Sequence, residues 1–121
     1  MSADIQLAWP RNATLMGIYA IRCLADGRVY VGQSRRIYDR WRDHLVELRH
    51  GRGSPRLQKM WVVHGPSYFT FEILEIVSDS TRMQEREQFY IDHYKAADPA
   101  CGMNTLPTAG SFDGYTPDDE A

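Results

Sequence analysis

The sequence predicts an α+β domain built from a small three-stranded antiparallel sheet flanked by helices. Three segments rich in β-branched and aromatic residues are interspersed with three segments of helical periodicity. The first two strand segments are joined by Asp26-Gly27, a dipeptide typical of tight hairpins. Because no long crossover separates them, we expect these strands to pair antiparallel, with helices covering the sheet.

The hairpin predicts a shared face for two tyrosines. The strand predictions cover residues 16–24, 28–32 and 68–77. A turn centred on Asp26-Gly27 places Tyr30 opposite Cys23, and Tyr19 shares the face of Cys23 because side chains alternate with period two. This register separates the tyrosines by about 13 Å along the strands. Two tyrosines on one face more often pack than catalyse, so they indicate no chemistry by themselves.

The helix predictions follow from apolar spacing and from capping residues. A stripe of Ile37, Trp41, Leu45 and Leu48 predicts a first helix over residues 37–50. A second helix begins with Ser54 as N-cap and Pro55 in the first turn, and Gly65-Pro66 ends it. A third begins at a capping box formed by Thr81 and Gln84 and runs to about Tyr94.

The chain is predicted to contain one folded domain. Its 121 residues are enough for a core without disulfides. We divide it into an N-terminal arm (1–14), the domain (15–108) and a mobile acidic tail (109–121). Cys23 and Cys101 lie far apart without a CxxC partner and are interpreted as apolar filler. No stretch is long and apolar enough for a membrane span, and we expect a cytoplasmic protein, encoded by a bacterium or a phage.

Charge is distributed unevenly along the chain. The net charge is −2 and the isoelectric point about 6.0, unlike a dedicated DNA-binding domain. Residues 28–59 nevertheless hold nine Lys and Arg against three Asp and Glu, a local balance of +6. Such a stretch is either a solvated surface or a phosphate-binding one. The candidate nucleic-acid contacts are Arg35, Arg36, Arg42, Arg52, Arg56 and Lys59.

Two helices carry candidate site residues. Arg40 and His44 are four residues apart, so they share a face at the border of the buried stripe. On the last helix, Glu87 falls in the middle of an apolar face. A carboxylate directed at a core is costly unless it is paired or binds a metal. Two interpretations stay open for Glu87: an ion pair with Arg22 or Arg40, or a ligand for a hard divalent cation.

Five motifs in order over residues 16–104 resemble those of the GIY-YIG nuclease superfamily. They are Gly17-Ile18-Tyr19; Tyr30-Val31-Gly32, with valine for isoleucine; the Arg40-Trp41 to His44 helix; Glu85-Arg86-Glu87; and Gly102-Met103-Asn104. The whole pattern is most similar to the catalytic domains of phage and intron homing endonucleases. The resemblance implies the GIY-YIG nuclease fold and a metal-dependent endonuclease that hydrolyses phosphodiester bonds in DNA.

The resemblance also implies roles for single residues. Glu87 is expected to ligate one Mg²⁺ or Mn²⁺ per active site. Tyr19 is expected to act, as a phenolate, as the general base on the attacking water. Tyr30 is expected to position the water or the phosphate, or to assist proton transfer. His44 either bonds a phosphate oxygen or orients Tyr19.

The two remaining catalytic candidates have supporting roles in this scheme. Arg40 is expected to neutralise charge on the transition state. Asn104 is expected to tie the C-terminal segment over the site. A histidine that some relatives carry shortly after the first helix is missing at Gly51-Arg52-Gly53, where Arg52 or Arg56 could anchor phosphate instead.

The alternative function is a nucleic-acid-binding module of the same fold that does not cleave. All six active-site positions hold the expected residue types, which favours the nuclease. With few elements left to read a groove, specificity would require a dimer, a separate partner or a structured substrate.

Overall fold

The computed structural model describes residues 9–109, and its elements follow the predicted order. The strands are β1 (Gly17–Cys23), β2 (Val29–Ser34) and β3 (Phe69–Ile76). The helices are α1 (Ile37–Arg49), α2 (Pro55–His64) and α3 (Met83–Tyr94). Short 3₁₀ turns at Pro66–Tyr68 and Ser80–Arg82 precede β3 and α3. In the residues described, no helix is long and apolar enough to cross a membrane.

The sheet has the strand order β2-β1-β3, with both pairs antiparallel, as predicted. The predicted hairpin register was wrong by two residues: Tyr30 lies opposite Ile21, and Tyr19 lies opposite Gly32. Cys23 pairs with Arg28 through the bond from its N–H to the Arg28 carbonyl (2.9 Å), so four residues rather than two form the loop. A two-residue shift preserves the face, and it brings the tyrosines closer along the strands than expected.

Each face of the sheet carries its own core. On one face α1 and α2 cover Tyr19, Ile21 and Cys23 of β1. On the other face α3 packs against β1 and β2, where Ile18 and Ala20 point. The strand β1 is buried on both sides because it is central and helices cover both faces, which explains its nearly continuous apolar sequence.

A β-bulge interrupts the pairing of β3 with β1. Ile18 lies opposite Glu75 and Tyr19 opposite Ile73, so Leu74 is the extra residue. Alternation along the strand gives Phe69 and Ile73 the same face, yet Phe69 is buried under the α1 face and Ile73 is 36% exposed. Leu74 packs against the core under α3.

The start of the last helix differs from the prediction. Thr81 does not form a capping box with Gln84; its N–H and hydroxyl donate to Asp79 Oδ1 at 3.0 and 2.7 Å. A carboxylate is a stronger acceptor than a hydroxyl, so Asp79 closes a 3₁₀ turn first and α3 begins at Met83. The C-terminal end of α3 lies at Tyr94 as predicted.

The chain segments outside the elements are described in part. Residues 9–14 have no helix or strand, yet Trp9 packs against Trp41 with ring centroids 5.1 Å apart, so this part of the predicted arm is docked. Residues 1–8 of the arm and 110–121 of the predicted mobile tail lie outside the described residues. Ala109, the first residue of the predicted tail, is described, and its N–H donates to Gln88 Oε1 at 2.8 Å.

Candidate active site

A buried hydrogen bond joins β1 to α1 at the centre of the site. The hydroxyl of Tyr19 lies 2.8 Å from Nε2 of His44. Tyr19 and His44 are each 1% exposed. Burial, together with the charge of Arg40, holds the pKa of His44 well below its usual range. The imidazole is therefore neutral near pH 7, and one of its nitrogens is available as a proton acceptor.

Tyr30 and Arg40 complete this group. The ring of Tyr30 lies across the sheet with its centroid 5.5 Å from that of His44, close to the 5.7 Å of Tyr19. Arg40 lies one helical turn before His44 and is 7% exposed, more deeply buried than the border position predicted for it. Its Nη1 donates to Glu47 Oε2 at 3.2 Å, which holds the guanidinium at this end of the group. The structure thus gathers four of the six predicted residues on the α1 face.

The close approach of the Tyr19 ring explains why the last residue of the second tripeptide, Gly32, is a glycine. A Cβ at this position would lie 2.5 Å from the Tyr19 hydroxyl, so any larger residue would displace the phenol. The ring of Tyr19 therefore extends over the β2 backbone at the edge of the sheet. This edge is where the two faces of the sheet meet.

Glu87 approaches the same edge from the opposite face. It lies on α3 and is 6% exposed, and the amide of Gln33 donates to its Oε1. Gln33 directly follows Gly32, so neighbouring residues of β2 contact the Tyr19 phenol and the Glu87 carboxylate. The metal-ligand candidate and the tyrosine thus belong to different cores that share one strand.

The arginines that the sequence left open as partners of Glu87 pair with other carboxylates. Arg22 Nε lies 2.8 Å from Glu72, and Arg40 lies 3.2 Å from Glu47. Burial raises the pKa of Glu87 to about 7, and the hydrogen bond from Gln33 opposes this shift only in part. A buried oxygen donor whose ionisation is penalised in this way fits a hard divalent cation.

Asn104 completes the edge of β2. Its Oδ1 accepts the N–H of Val31 at 2.8 Å, and its Nδ2 donates to the Val31 carbonyl at 3.0 Å. The segment before it pairs with Val29: the Val29 N–H donates to the Cys101 carbonyl, and the Met103 N–H donates to the Val29 carbonyl. The side-chain amide therefore substitutes for a neighbouring strand next to the second tripeptide.

The predicted phosphate contacts fall into two groups. Arg35, Arg52 and Lys59 are exposed, as is Arg36, which pairs with Asp39. The other two, Arg42 and Arg56, donate hydrogen bonds to backbone carbonyls within the domain. Arg42 Nη2 donates to the Trp9 carbonyl at 2.7 Å, and Arg56 Nη1 donates to the carbonyls of Ala97 and Asn104 at 2.9 and 2.8 Å.

Several contacts were not anticipated from the sequence. Gln33 directly follows the second tripeptide and was assigned no role, and the structure places its amide on Glu87. The alternation of β2 could have indicated it, because Gln33 points to the face that α3 covers. His64 was assigned no role from the sequence, and its Nε2 lies 3.2 Å from Asp26 Oδ2. That pair joins residues distant in sequence, and no local pattern predicts it.

The chain is similar to endonuclease catalytic domains in sequence and in structure. Intron-associated endonuclease 1 of Enterobacteria phage T4 is 33% identical over 76 residues, which are 62% of this chain and 31% of that protein. The chain thus spans about a third of the length of that relative.

Two solved structures have the same fold. The catalytic domain of intron endonuclease I-TevI, as a single-residue variant, has a TM-score of 0.71 and 29% identity, covering 81% of this chain and 98% of that one. A second structure of the I-TevI catalytic domain has a TM-score of 0.69 and 30% identity, covering 75% and 98%. Residues 15–100 match the family described as the GIY-YIG catalytic domain. The chain therefore belongs to the GIY-YIG family of nuclease catalytic domains.

Proposed function

We propose that this chain is a metal-dependent endonuclease domain that hydrolyses phosphodiester bonds in DNA. The observation that carries the proposal is the buried bond between the Tyr19 hydroxyl and Nε2 of a neutral His44. The neutral imidazole can accept the phenol proton, which leaves Tyr19 as the phenolate that a general base requires. The relatives named above are endonucleases, which supports the same reaction class.

Tyr19 acts as the general base: its hydroxyl proton passes to Nε2 of His44, and the resulting phenolate takes a proton from the attacking water. His44 fixes the direction of the phenol through its Nε2, which favours the orienting role over a phosphate contact. Tyr30, packed against the same imidazole, positions the water or the phosphate. Arg40, held by Glu47, places positive charge where negative charge develops on the phosphate.

Glu87 is the protein ligand in this proposal for a single Mg²⁺ or Mn²⁺. When bound, the ion supplies Lewis-acid stabilisation of the leaving 3′-oxygen. Gln33 keeps the carboxylate in place through its amide, and Asn104 ties the C-terminal segment to β2 at Val31. Because the carboxylate is costly to bury while ionised, cation binding there is favoured.

The exposed cations Arg35, Arg36, Arg52 and Lys59 bind the DNA backbone, whereas Arg42 and Arg56 hold the fold together. Phosphate contacts carry affinity without sequence information. Sequence specificity then comes from a dimer, a separate partner or a structured substrate.

The test is cleavage of supercoiled plasmid and of a labelled single strand in Mg²⁺, Mn²⁺ or EDTA. We expect cleavage with either metal, its loss in EDTA, and its loss in the Glu87→Ala variant. Glu85→Ala is the matched control, because Glu85 lies on the same helix but is exposed. A wild-type protein that retards both substrates on a gel and cuts neither would support the non-cleaving module instead.

A further inference from the structure

A second group of candidate ligands lies at the hairpin, apart from Glu87. Cys23 ends β1, Asp26 lies in the hairpin loop, and His64 ends α2. Their ligand atoms all lie within 4.8 Å of one another. Sulfur, carboxylate oxygen and imidazole nitrogen are the three donors that zinc accepts in proteins. The hard cations proposed for Glu87 do not favour a thiolate, so this donor set selects a different metal.

The spacing of these atoms suits tetrahedral coordination. Asp26 Oδ2 lies 3.2 Å from His64 Nε2. Oxygen and nitrogen ligands of one tetrahedral zinc ion lie about 3.3 Å apart, given zinc–ligand bonds of about 2.0–2.1 Å. The two side chains therefore need little movement to share an ion.

Backbone hydrogen bonds fix the hairpin loop and the end of α2, which carry the three residues. The Gly27 N–H donates to the Cys23 carbonyl at 2.8 Å, which closes the hairpin loop, and Gly27 has a φ of 80° that favours glycine. The N–H of Gly65 donates to the Trp61 carbonyl at 3.0 Å and fixes the end of α2 beside His64. A site built on such positions is largely formed before the ion binds.

Arg28 neutralises Asp26 in the absence of a metal. Its Nη1 lies 2.6 Å from Asp26 Oδ2, the same oxygen that faces His64. Burial opposes ionisation of Asp26, but the bonds from the backbone and side chain of Arg28 outweigh it, so the pKa lies below its usual value. Arg28 also donates through Nε to the Pro99 carbonyl at 2.7 Å and keeps this bond when it leaves Oδ2. Arginine and metal thus compete for one oxygen.

We propose that Cys23, Asp26 and His64 bind one zinc ion that ties the hairpin to the end of α2. Binding displaces the thiol proton of Cys23, whose pKa burial raises, to solvent. Three protein ligands leave a fourth position for water or an external ligand. The proposal does not depend on the nuclease function.

The experiment uses Co²⁺ as a spectroscopic substitute for zinc on chelator-treated protein. A thiolate bound to Co²⁺ gives a charge-transfer absorption that an oxygen-only site at Glu87 cannot produce. We expect one equivalent of Co²⁺ to produce this band and Zn²⁺ to abolish it. A wild-type protein that shows no such band at saturating Co²⁺ would overturn the proposal.

Matched variants locate the site. Cys23→Ser is expected to lose the band, and Cys101→Ser to keep it, because Cys101 is not part of the cluster. His64 is half-buried, so His64→Gln preserves the fold even where Cys23→Ser does not. We expect His64→Gln to weaken Co²⁺ binding at least ~10-fold and His50→Gln to leave it unchanged. The reverse pattern for either pair contradicts the assignment.

Arg28→Gln tests the competition. Removal of an ion pair worth up to ~1 kcal/mol is expected to tighten Co²⁺ binding by about 5-fold. An unchanged or weaker affinity in this variant contradicts metal binding at the Asp26 oxygen that Arg28 occupies.

Discussion

Buried polar side chains have different kinds of partner on the two faces of the sheet. Under α1, polar groups are partnered within the face: Tyr19 bonds to His44, and Arg40 pairs with Glu47. Under α3, Glu87 is 6% exposed and receives a neutral amide from Gln33. The charged groups of the first arrangement are neutral or paired, whereas the second leaves a carboxylate that is stable only when protonated or bound to a cation.

The difference has opposite consequences with pH. Burial and the charge of Arg40 hold the pKa of His44 below its usual 6.5. The unfolded form therefore binds a proton first, and folding stability is lost as the pH falls below 6.5. Glu87 has a pKa of about 7 against an ordinary 4.5, so its unfolded form ionises first and stability is lost as the pH rises from 4.5 to 7. Burial of His44 therefore lowers folding stability at acidic pH. Burial of Glu87 lowers folding stability at alkaline pH unless a cation is bound.

The largest expected effect breaks the α1 face. Tyr19→Phe removes the hydroxyl that bonds to His44, and we expect the cleavage rate to fall by about 10²–10⁴-fold, the usual contribution of a general base. Tyr38→Phe is the control, because Tyr38 packs edge-on against Trp41 outside the site. Single-turnover cleavage of labelled DNA measures both. An equal loss in the two variants would indicate a packing effect rather than catalysis.

The second prediction sharpens the α3 face. Glu87→Gln removes the ionisable group, so we expect the metal-free variant at pH 8 to be more stable than wild type by up to about 3 kcal/mol. The gain disappears below pH 4.5, where both forms are neutral. Urea unfolding in EDTA at pH 4.5 and 8 measures it. Identical pH profiles for the two proteins would show that the carboxylate is not penalised.

The third prediction concerns the strand that both faces share. Asn104→Ala leaves the buried N–H and carbonyl of Val31 without the amide, and we expect a loss of about 2 kcal/mol in unfolding free energy. Thr105→Ala, at the exposed next residue, is expected to change stability by less than ~0.5 kcal/mol. Denaturant unfolding compares them. A neutral Asn104→Ala would mean that the edge of β2 does not need this cover.

The smallest effects lie outside both cores. Arg52→Ala and Lys59→Ala remove exposed cations, and we expect each to reduce the salt dependence of DNA binding by about one unit of slope. Stability should be unchanged. Binding isotherms across a salt series give the slope. Unchanged slopes in both variants would remove these residues from the proposed DNA-binding surface.

Much of the fold was readable from local patterns. The helix α1 follows from the stripe of Ile37, Trp41 and Leu45, all of which are buried, and the glycine at residue 65 ends α2 as expected. The burial of Glu87 was also predicted, because helical periodicity alone fixes which residues of α3 face the sheet. These features depend on neighbours a few residues apart, which the sequence specifies directly.

Other features were decided only by the tertiary structure. The hairpin register, and with it the spacing of Tyr19 and Tyr30, depends on whether two or four residues form the loop, and Asp26-Gly27 is compatible with both. The contact of Gln33 with Glu87 and the cluster at Cys23 join residues far apart in the chain. Sequence periodicity assigns a side chain to a face, but only packing of the faces determines which distant group it meets there.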